Sequence, residues 1–210
     1  MKHFDYTNNW FDQTARPLWD QFIKNNFSPT TYLEIGSFEG ASVCWVLENM
    51  PSVKTAVCID TWEGGAEHKE VGEDMVSVET RFDANVALAG DRSETQVELI
   101  KLKCRSIEAL GRLISEGYSG QFDFIYIDGS HIASDVLTDL VQAFELLKLG
   151  GLIVADDYLW DPQVSIDGRS FTQLNPNDSP KIAVDAFSNI FRSNLQILAV
   201  PTVQFMALKK

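Results

Sequence analysis

The run Tyr32-Leu-Glu-Ile-Gly-Ser-Phe-Glu-Gly-Ala-Ser-Val43 limits the possible folds of this chain more than any other segment. It reads as a buried strand, a glycine turn and a helix start, with an acid, Glu34, inside the strand end. Such a junction brings the backbone N–H groups at a helix N-terminus against a ligand. A dinucleotide site uses G-x-G-x-x-G, whose middle glycine lets the pyrophosphate touch the backbone. Here that middle position is Phe38, whose ring would fill the space the pyrophosphate needs. The run is instead acid-x-Gly-x-x-x-Gly, through Glu34, Gly36 and Gly40. That suits a ligand carrying an amino acid and no phosphate, and so points to S-adenosylmethionine (SAM) rather than NAD.

Strand-like and helix-like runs alternate around this junction. The strand-like runs are 31–35, 55–59, 97–101, 122–127 and 152–155; the helix-like ones are 42–48, 73–88, 107–115 and 134–147. In the last helix Val136, Leu137, Leu140, Val141, Phe144 and Leu147 recur at helical spacing, while Asp135, Thr138, Asp139, Gln142 and Glu145 fill the other face. Gly150-Gly151 is expected to end it. Such alternation implies an α/β fold with a mostly parallel sheet and helices on both faces, ligands binding beyond the carboxyl ends of the strands. Ahead of it, 12–26 reads as a helix with Trp10, Phe11, Leu18, Trp19, Phe22 and Ile23 on its apolar side, closed by Pro29. After it come a helix at 182–192 and two strands, 195–200 and 204–208, whose short link makes an antiparallel hairpin. We expect one domain over 1–210, with 1–29 as a helical extension.

Composition excludes partners rather than naming them. A formal net charge of −13 argues against nucleic acid and anionic membranes. Cys44, Cys58 and Cys104 show no C-x-x-C spacing and read as small buried hydrophobes. The first residues lack the apolar core of a signal peptide, and no run has the roughly eighteen apolar residues of a membrane span. The expectation is a cytoplasmic protein; a homo-oligomer is compatible with these totals.

The chemistry-bearing residues lie at strand ends. Cys58-Ile-Asp-Thr-Trp-Glu-Gly-Gly65 puts Asp60 where nucleoside-binding sheets hold a ribose, with Thr61 beside it and Trp62 able to cover an adenosine. The alternative is a turn-capping acid and a packed ring. Lys103-Cys-Arg-Ser106 offers Arg105 and Ser106 to an adenine edge, although Ser106 equally suits a helix N-cap. Phe122-Asp-Phe-Ile-Tyr-Ile-Asp-Gly-Ser-His131 ends in Asp128 and His131, and Leu152-Ile-Val-Ala-Asp-Asp-Tyr158 ends in Asp156 and Asp157. On adjacent strands the three carboxylates converge and repel unless a cation joins them, and hard oxygen ligands suit Mg²⁺. Asp156 and Asp157 share an ion only if the strand has ended there, since successive strand residues face opposite ways. Otherwise Asp128 is a turn residue and Asp157 a cap. His131 reads as a general base or as a hydrogen-bonded structural residue. His68, with Glu63, Glu67 and Glu70, reads as a solvated face. The connection 158–180, containing Trp160, Arg169 and Phe171, reads as a lid selecting an acceptor or as a surface insertion.

Taken together, Y-L-E-I-G-S-F-E-G-A-S, I-D-T-W-E-G-G, F-D-F-I-Y-I-D-G-S-H and L-K-L-G-G-L-I-V-A-D-D-Y resemble class I SAM-dependent methyltransferases from about Thr30 onward. The nearest branch is the small-molecule O-methyltransferases acting on sugars of macrolides and related natural products. The resemblance implies a Rossmann-like, seven-stranded sheet with a C-terminal antiparallel hairpin. It also implies that Glu34, Gly36, Ser37 and Gly40 hold the methionine end of SAM, Asp60 the ribose and Ser106 the adenine edge. Asp128, Asp156 and Asp157 would hold Mg²⁺, with Asp128 a candidate base. Ser130-His131 departs from the sugar-modifying pattern, and relatives with this turn would use His131 directly. The expected activity is divalent-metal-assisted O-methylation of a hydroxylated small molecule (a sugar, glycoside or natural product), with Asp128 and the metal activating the acceptor. The alternatives are a metal-independent enzyme with His131 as base, or a nucleoside-binding module that methylates nothing. An oxidoreductase is disfavoured by Phe38.

Overall fold

The computed structural model describes residues 3–65, 68, 74–160, 179–200 and 203–210. Seven strands form one sheet: β1 (Thr31–Ile35), β2 (Thr55–Asp60), β3 (Glu98–Lys103), β4 (Phe122–Ile127), β5 (Leu147–Ala155), β6 (Leu195–Ile197) and β7 (Phe205–Lys209). Their order is β3-β2-β1-β4-β5-β7-β6. The first five run parallel, and β7 is antiparallel to both β5 and β6. The expected terminal hairpin is thus present, with its second strand inserted beside β5. Chain order reverses between β1 and β4, the position where open α/β sheets bind ligands.

The strands are apolar on both faces because both are covered. Leu33, Ile35, Ile125 and Ile127 belong to one buried cluster with residues of α6 (Ser106–Ser115), α7 (Ala133–Leu146) and α8 (Pro180–Ile190). Tyr32, Phe124 and Tyr126 belong to the other, with α4 (Ala41–Asn49), α5 (Val78–Arg92) and the N-terminal extension. Trp19 locks that extension down. It is fully buried, with ring centroids 4.8 Å from Tyr126, 5.2 Å from Trp45 and 5.3 Å from Phe124.

Three local expectations change. The single helix expected over 12–26 is broken into α1 (Trp10–Thr14), α2 (Arg16–Leu18), a π-helical turn (Trp19–Ile23) and α3 (Lys24–Asn26). Pro17 removes a backbone donor in this stretch, and the wide turn carries both Trp19 and Ile23 inward. Gly150-Gly151 does not end α7, which stops at Leu146 with Leu147 already extended. The two glycines lie inside β5, where pairing jumps from Phe122–Leu147 to Phe124–Leu152, and Gly150 has φ +77°. They make a bulge. Strand β3 and helix α5 start later than expected, and Glu73, Glu67, Glu70, Arg169 and Phe171 lie outside the described residues.

Candidate functional site

The glycine turn is shaped by close approach of two strand ends. Gly36 has φ +86°, and a Cβ there would fall 1.9 Å from the carbonyl oxygen of Asp128. Its N–H donates to the Ile59 carbonyl (2.8 Å), and the Asp128 N–H donates to the Ile35 carbonyl (2.8 Å). Gly40, at φ +84°, starts α4 in a left-handed conformation and packs over Phe82. Above this junction opens a cavity of about 570 Å³ along the carboxyl edge of the sheet, a size suited to a small molecule or cofactor.

Gly36, Ser37, Asp60, Thr61, Arg105, Ser106, Asp128, His131, Asp156 and Asp157 line it. Glu34 and Gly40 support it from beneath. Glu34 is fully buried and accepts hydrogen bonds from Tyr32 Oη (2.7 Å) and Ser42 Oγ (2.8 Å). Burial pushes its carboxyl up to about 7, against the opposing effect of these hydroxyls. The Ser37 hydroxyl and the Cys58 thiol also favour the Glu34 charge. Ser37 lines the cavity, where its hydroxyl can donate to a ligand carboxylate or accept from an ammonium. Asp60 accepts the Phe38 N–H at 2.8 Å and the Trp62 N–H at 2.7 Å. Each oxygen keeps capacity for a ribose hydroxyl.

Trp62 corrects an expectation. Its ring does not line the cavity; it is buried against Phe82 (4.9 Å), with Lys101 Nζ 4.5 Å from its centroid. Its Nε1 donates to the Phe38 carbonyl (2.8 Å), and φ +53° turns the side chain inward. Ser106 is the first residue of α6 and Arg105 its N-cap, without a side-chain cap bond.

At the other end of the cavity the acids gather. Strand β5 ends at Ala155, and Asp157 has φ +55°, so Asp156 and Asp157 are not held to opposite faces. The Tyr126 hydroxyl bridges Asp128 Oδ2 and Asp156 Oδ2, at 3.0 Å from the former. Gln204 Nε2 donates to Asp156 (3.0 Å), and Gln204 in turn accepts Trp19 Nε1 (3.2 Å). Burial, then repulsion from the neighbouring acids, pushes Asp128 well above the usual carboxylate range and Asp156 to about 6. The Asp157 N–H also donates to Asp156 Oδ1 (2.8 Å), so Tyr126 shares its proton between Asp128 and an Asp156 that has two other donors. His131 Nε2 lies 2.9 Å from Asp157 Oδ2, and Trp160 stacks on its ring at 4.4 Å. Among the described residues no group of three or more His, Cys, Asp or Glu is placed to hold a metal ion. Tyr126 links Asp128 to Asp156, while Asp157 is engaged by His131, so the expected Mg²⁺ ligands form no ready cage.

Three parts of the site were not anticipated. The N-terminal segment forms a wall, contributing Tyr6 and residues 8–14. Buried Glu39 secures it, accepting Thr7 N (2.7 Å) and Thr7 Oγ1 (2.9 Å) as well as Arg81. Asp139 of α7, expected on the face opposite the apolar stripe, is 2% exposed and lines the cavity. Burial raises its carboxyl to about 7. His68, expected on a solvated face, lines the cavity too and stacks on Phe38 at 5.6 Å.

This fold and edge cavity agree with the comparisons to known proteins. A family model described as a methyltransferase domain matches residues 33–158. The chain belongs to that family. Among solved structures it is similar to an O-methyltransferase from Bacillus cereus in complex with S-adenosylhomocysteine (SAH), with TM-score 0.60 and 19% identity, covering 100% of this chain and 84% of that one. It is also similar to the O-methyltransferase TomG of Streptomyces achromogenes, involved in tomaymycin synthesis and solved with SAM (TM-score 0.61, 20% identity, 92% and 78% covered). A further similar structure is the MycE methyltransferase of the mycinamycin pathway, solved with Mg, SAH and mycinamycin VI (TM-score 0.56, 17% identity, 98% and 50% covered). At these identities the likeness is one of fold. An uncharacterised mimivirus protein, R132, is 28% identical over 137 residues, 64% of this chain; the chain matches about half the length of that relative, 55%.

Proposed function

We propose that this protein is a SAM-dependent O-methyltransferase of a hydroxylated small molecule, a sugar, glycoside or other natural product. The observation that carries this reading is the His131–Asp157 pair in the wall of the cavity that also holds the Gly36 turn and Asp60. SAM, when bound, would supply an electrophilic methyl group, its C–S bond breaking with SAH as the leaving group as an in-line acceptor oxygen forms the C–O bond. Ser37 and the Gly36 turn, supported by Glu34, would bind its amino-acid end, Asp60 the ribose hydroxyls, and Ser106 and Arg105 the base. Asp157 orients the imidazole of His131, which takes the proton of the acceptor hydroxyl as the new C–O bond forms. Trp160, stacked on the His131 ring, covers this end, while the N-terminal wall lies against Phe38 and His68. In this reading 1–210 is one catalytic domain with 1–29 its helical extension; most of the expected lid, 158–180, lies outside the described residues. The net charge of −13 supports a small acceptor over nucleic acid or an anionic membrane. Among the described residues no helix is long and apolar enough to cross a membrane.

A second reading adds Mg²⁺, and the Tyr126 hydroxyl shared by two acids favours it. Asp128, Asp156 and Asp157 offer the hard oxygens such an ion prefers, and MycE was solved with Mg. Held there, the ion would acidify and orient the acceptor hydroxyl; Tyr126 and His131 would have to withdraw from these carboxylates.

The test is methyl transfer from labelled SAM to a panel of hydroxylated natural products, with and without EDTA. We expect His131→Ala to lower turnover by about 10²-fold or more while SAH affinity stays within a few fold. Unchanged turnover in that variant removes the proposed base. Activity lost in EDTA and restored by Mg²⁺ establishes the second reading.

A further inference from the structure

The sheet fixes which way a nucleoside lies in this cavity, given the cofactor reading above, on which the following inference rests. Strand order along the edge is β3-β2-β1-β4-β5. His131 and Asp157 follow β4 and β5, so the reacting methyl group belongs at that end. Asp60 ends β2 and takes the ribose. The base is left with the wall beyond β3, where Cys104, Arg105 and Ser106 stand.

Asp139 enters the same wall from α7. It shares the inward stripe of that helix with Val136, Leu140 and Ala143, where an apolar residue would pack without cost. Its electrostatic neighbours are the Ser106 hydroxyl and the Arg105 guanidinium, which favour the charge, and Asp135, which opposes it. A carboxylate accepts about four hydrogen bonds and donates none. One nearby hydroxyl leaves most of that capacity for the cavity. Buried acceptors need donors, and adenine carries one such group, its exocyclic amine.

We propose that Asp139 accepts a hydrogen bond from the exocyclic amine of the cofactor's adenine and so selects adenine over a base with oxygen at that position. Hypoxanthine would turn its carbonyl oxygen toward the carboxylate, acceptor against acceptor. Sites built to bond an N–H reject the analogue lacking it far more strongly than apolar pockets reject a missing methylene. A helix-capping role at the nearby start of α6 would hold Asp139 in place without reading the base.

Calorimetric titration with SAH and with S-inosylhomocysteine, which differ at this group, separates the two when run at about pH 8.5, above the raised Asp139 carboxyl, so that the acid is an acceptor only. The wild type is expected to prefer SAH by about 30-fold or more. Asp139→Asn preserves shape and can present either its carbonyl or its amide N–H. It should bind SAH within about fivefold of wild type and S-inosylhomocysteine about tenfold more tightly, collapsing the preference. Asp139→Ala should lose SAH affinity by about tenfold or more, with little change for S-inosylhomocysteine. A wild-type preference near unity overturns the proposal without any variant. So does a preference unchanged in Asp139→Asn, or equal weakening of both ligands in Asp139→Ala, as expected for a helix cap or a contact to the amino-acid end. In these cases SAH still binds, and the cofactor reading stands. Failure of the wild type to bind either ligand overturns both.

Discussion

Gly36→Ala is the substitution whose cost the structure sets most directly. The residue has φ +86°, a conformation that costs an L-residue with a Cβ roughly 1–2 kcal/mol. Gly117 shares that conformation at φ +90° but has nothing within 4 Å of an added Cβ. Gly117→Ala therefore measures the torsional cost alone, about 1 kcal/mol. At Gly36 the new Cβ lies 1.9 Å from the Asp128 oxygen, 2.5 Å from its carbonyl carbon and 2.7 Å from Gly129 Cα. All three are backbone atoms, so no rotamer change relieves the contact. The β1 and β4 ends must separate by more than 1 Å to reach ordinary packing distance, disturbing the paired hydrogen bonds of Gly36 and Asp128. We expect Gly36→Ala to destabilise by about 3–4 kcal/mol, near the upper end for single substitutions. In a chain of this size that lowers the melting temperature by about 6–16 °C. Urea and thermal unfolding of both variants beside wild type give the difference. If Gly36→Ala costs no more than Gly117→Ala, the close approach of the two strand ends is wrong.

Three further predictions concern buried or paired groups. Glu34 has a carboxyl raised to about 7, so the native state holds a proton that the unfolded chain releases near 4.5. Its contribution is present below that pH and is lost as pH rises through 7; unfolding curves at pH 5 and pH 8 should show Glu34→Gln gaining roughly 2–3 kcal/mol on wild type across the interval. Asp123 behaves oppositely: burial raises its carboxyl, but Lys148 and Thr30 outweigh this and hold it well below the usual range. Asp123→Asn should therefore melt below wild type at pH 7, with the difference shrinking as acid protonates the native carboxylate. Trp19→Ala should cost about 3–5 kcal/mol in urea unfolding, because it empties the junction of Trp45, Phe124 and Tyr126.

The strands and the glycine junction were legible because buried parallel strands read as continuous apolar runs and positive φ selects glycine. Asp128, Asp156 and Asp157 were legible as a group because the ends of adjacent parallel strands share one edge. Trp62 was not, since nothing local says whether a ring beside a ribose acid turns toward ligand or core; the Phe38 carbonyl decides it. Asp139 was missed for a related reason. Helical spacing assigned it to the outer face of α7, yet it lies beside Val136 and Leu140 on the buried side, over the cavity rather than in solvent. Gly150-Gly151 misled because a helix stop and a strand bulge use the same residue for the same conformational freedom. The N-terminal wall had no local signal: Thr7 and Glu39 meet only in the folded chain.

Whether the cavity above Gly36 and Asp60 holds SAM is decided by calorimetric titration of the metal-stripped protein with SAH. We expect saturable heat at one ligand per chain with affinity in the micromolar range. No binding at millimolar SAH, with and without added Mg²⁺, refutes the assignment.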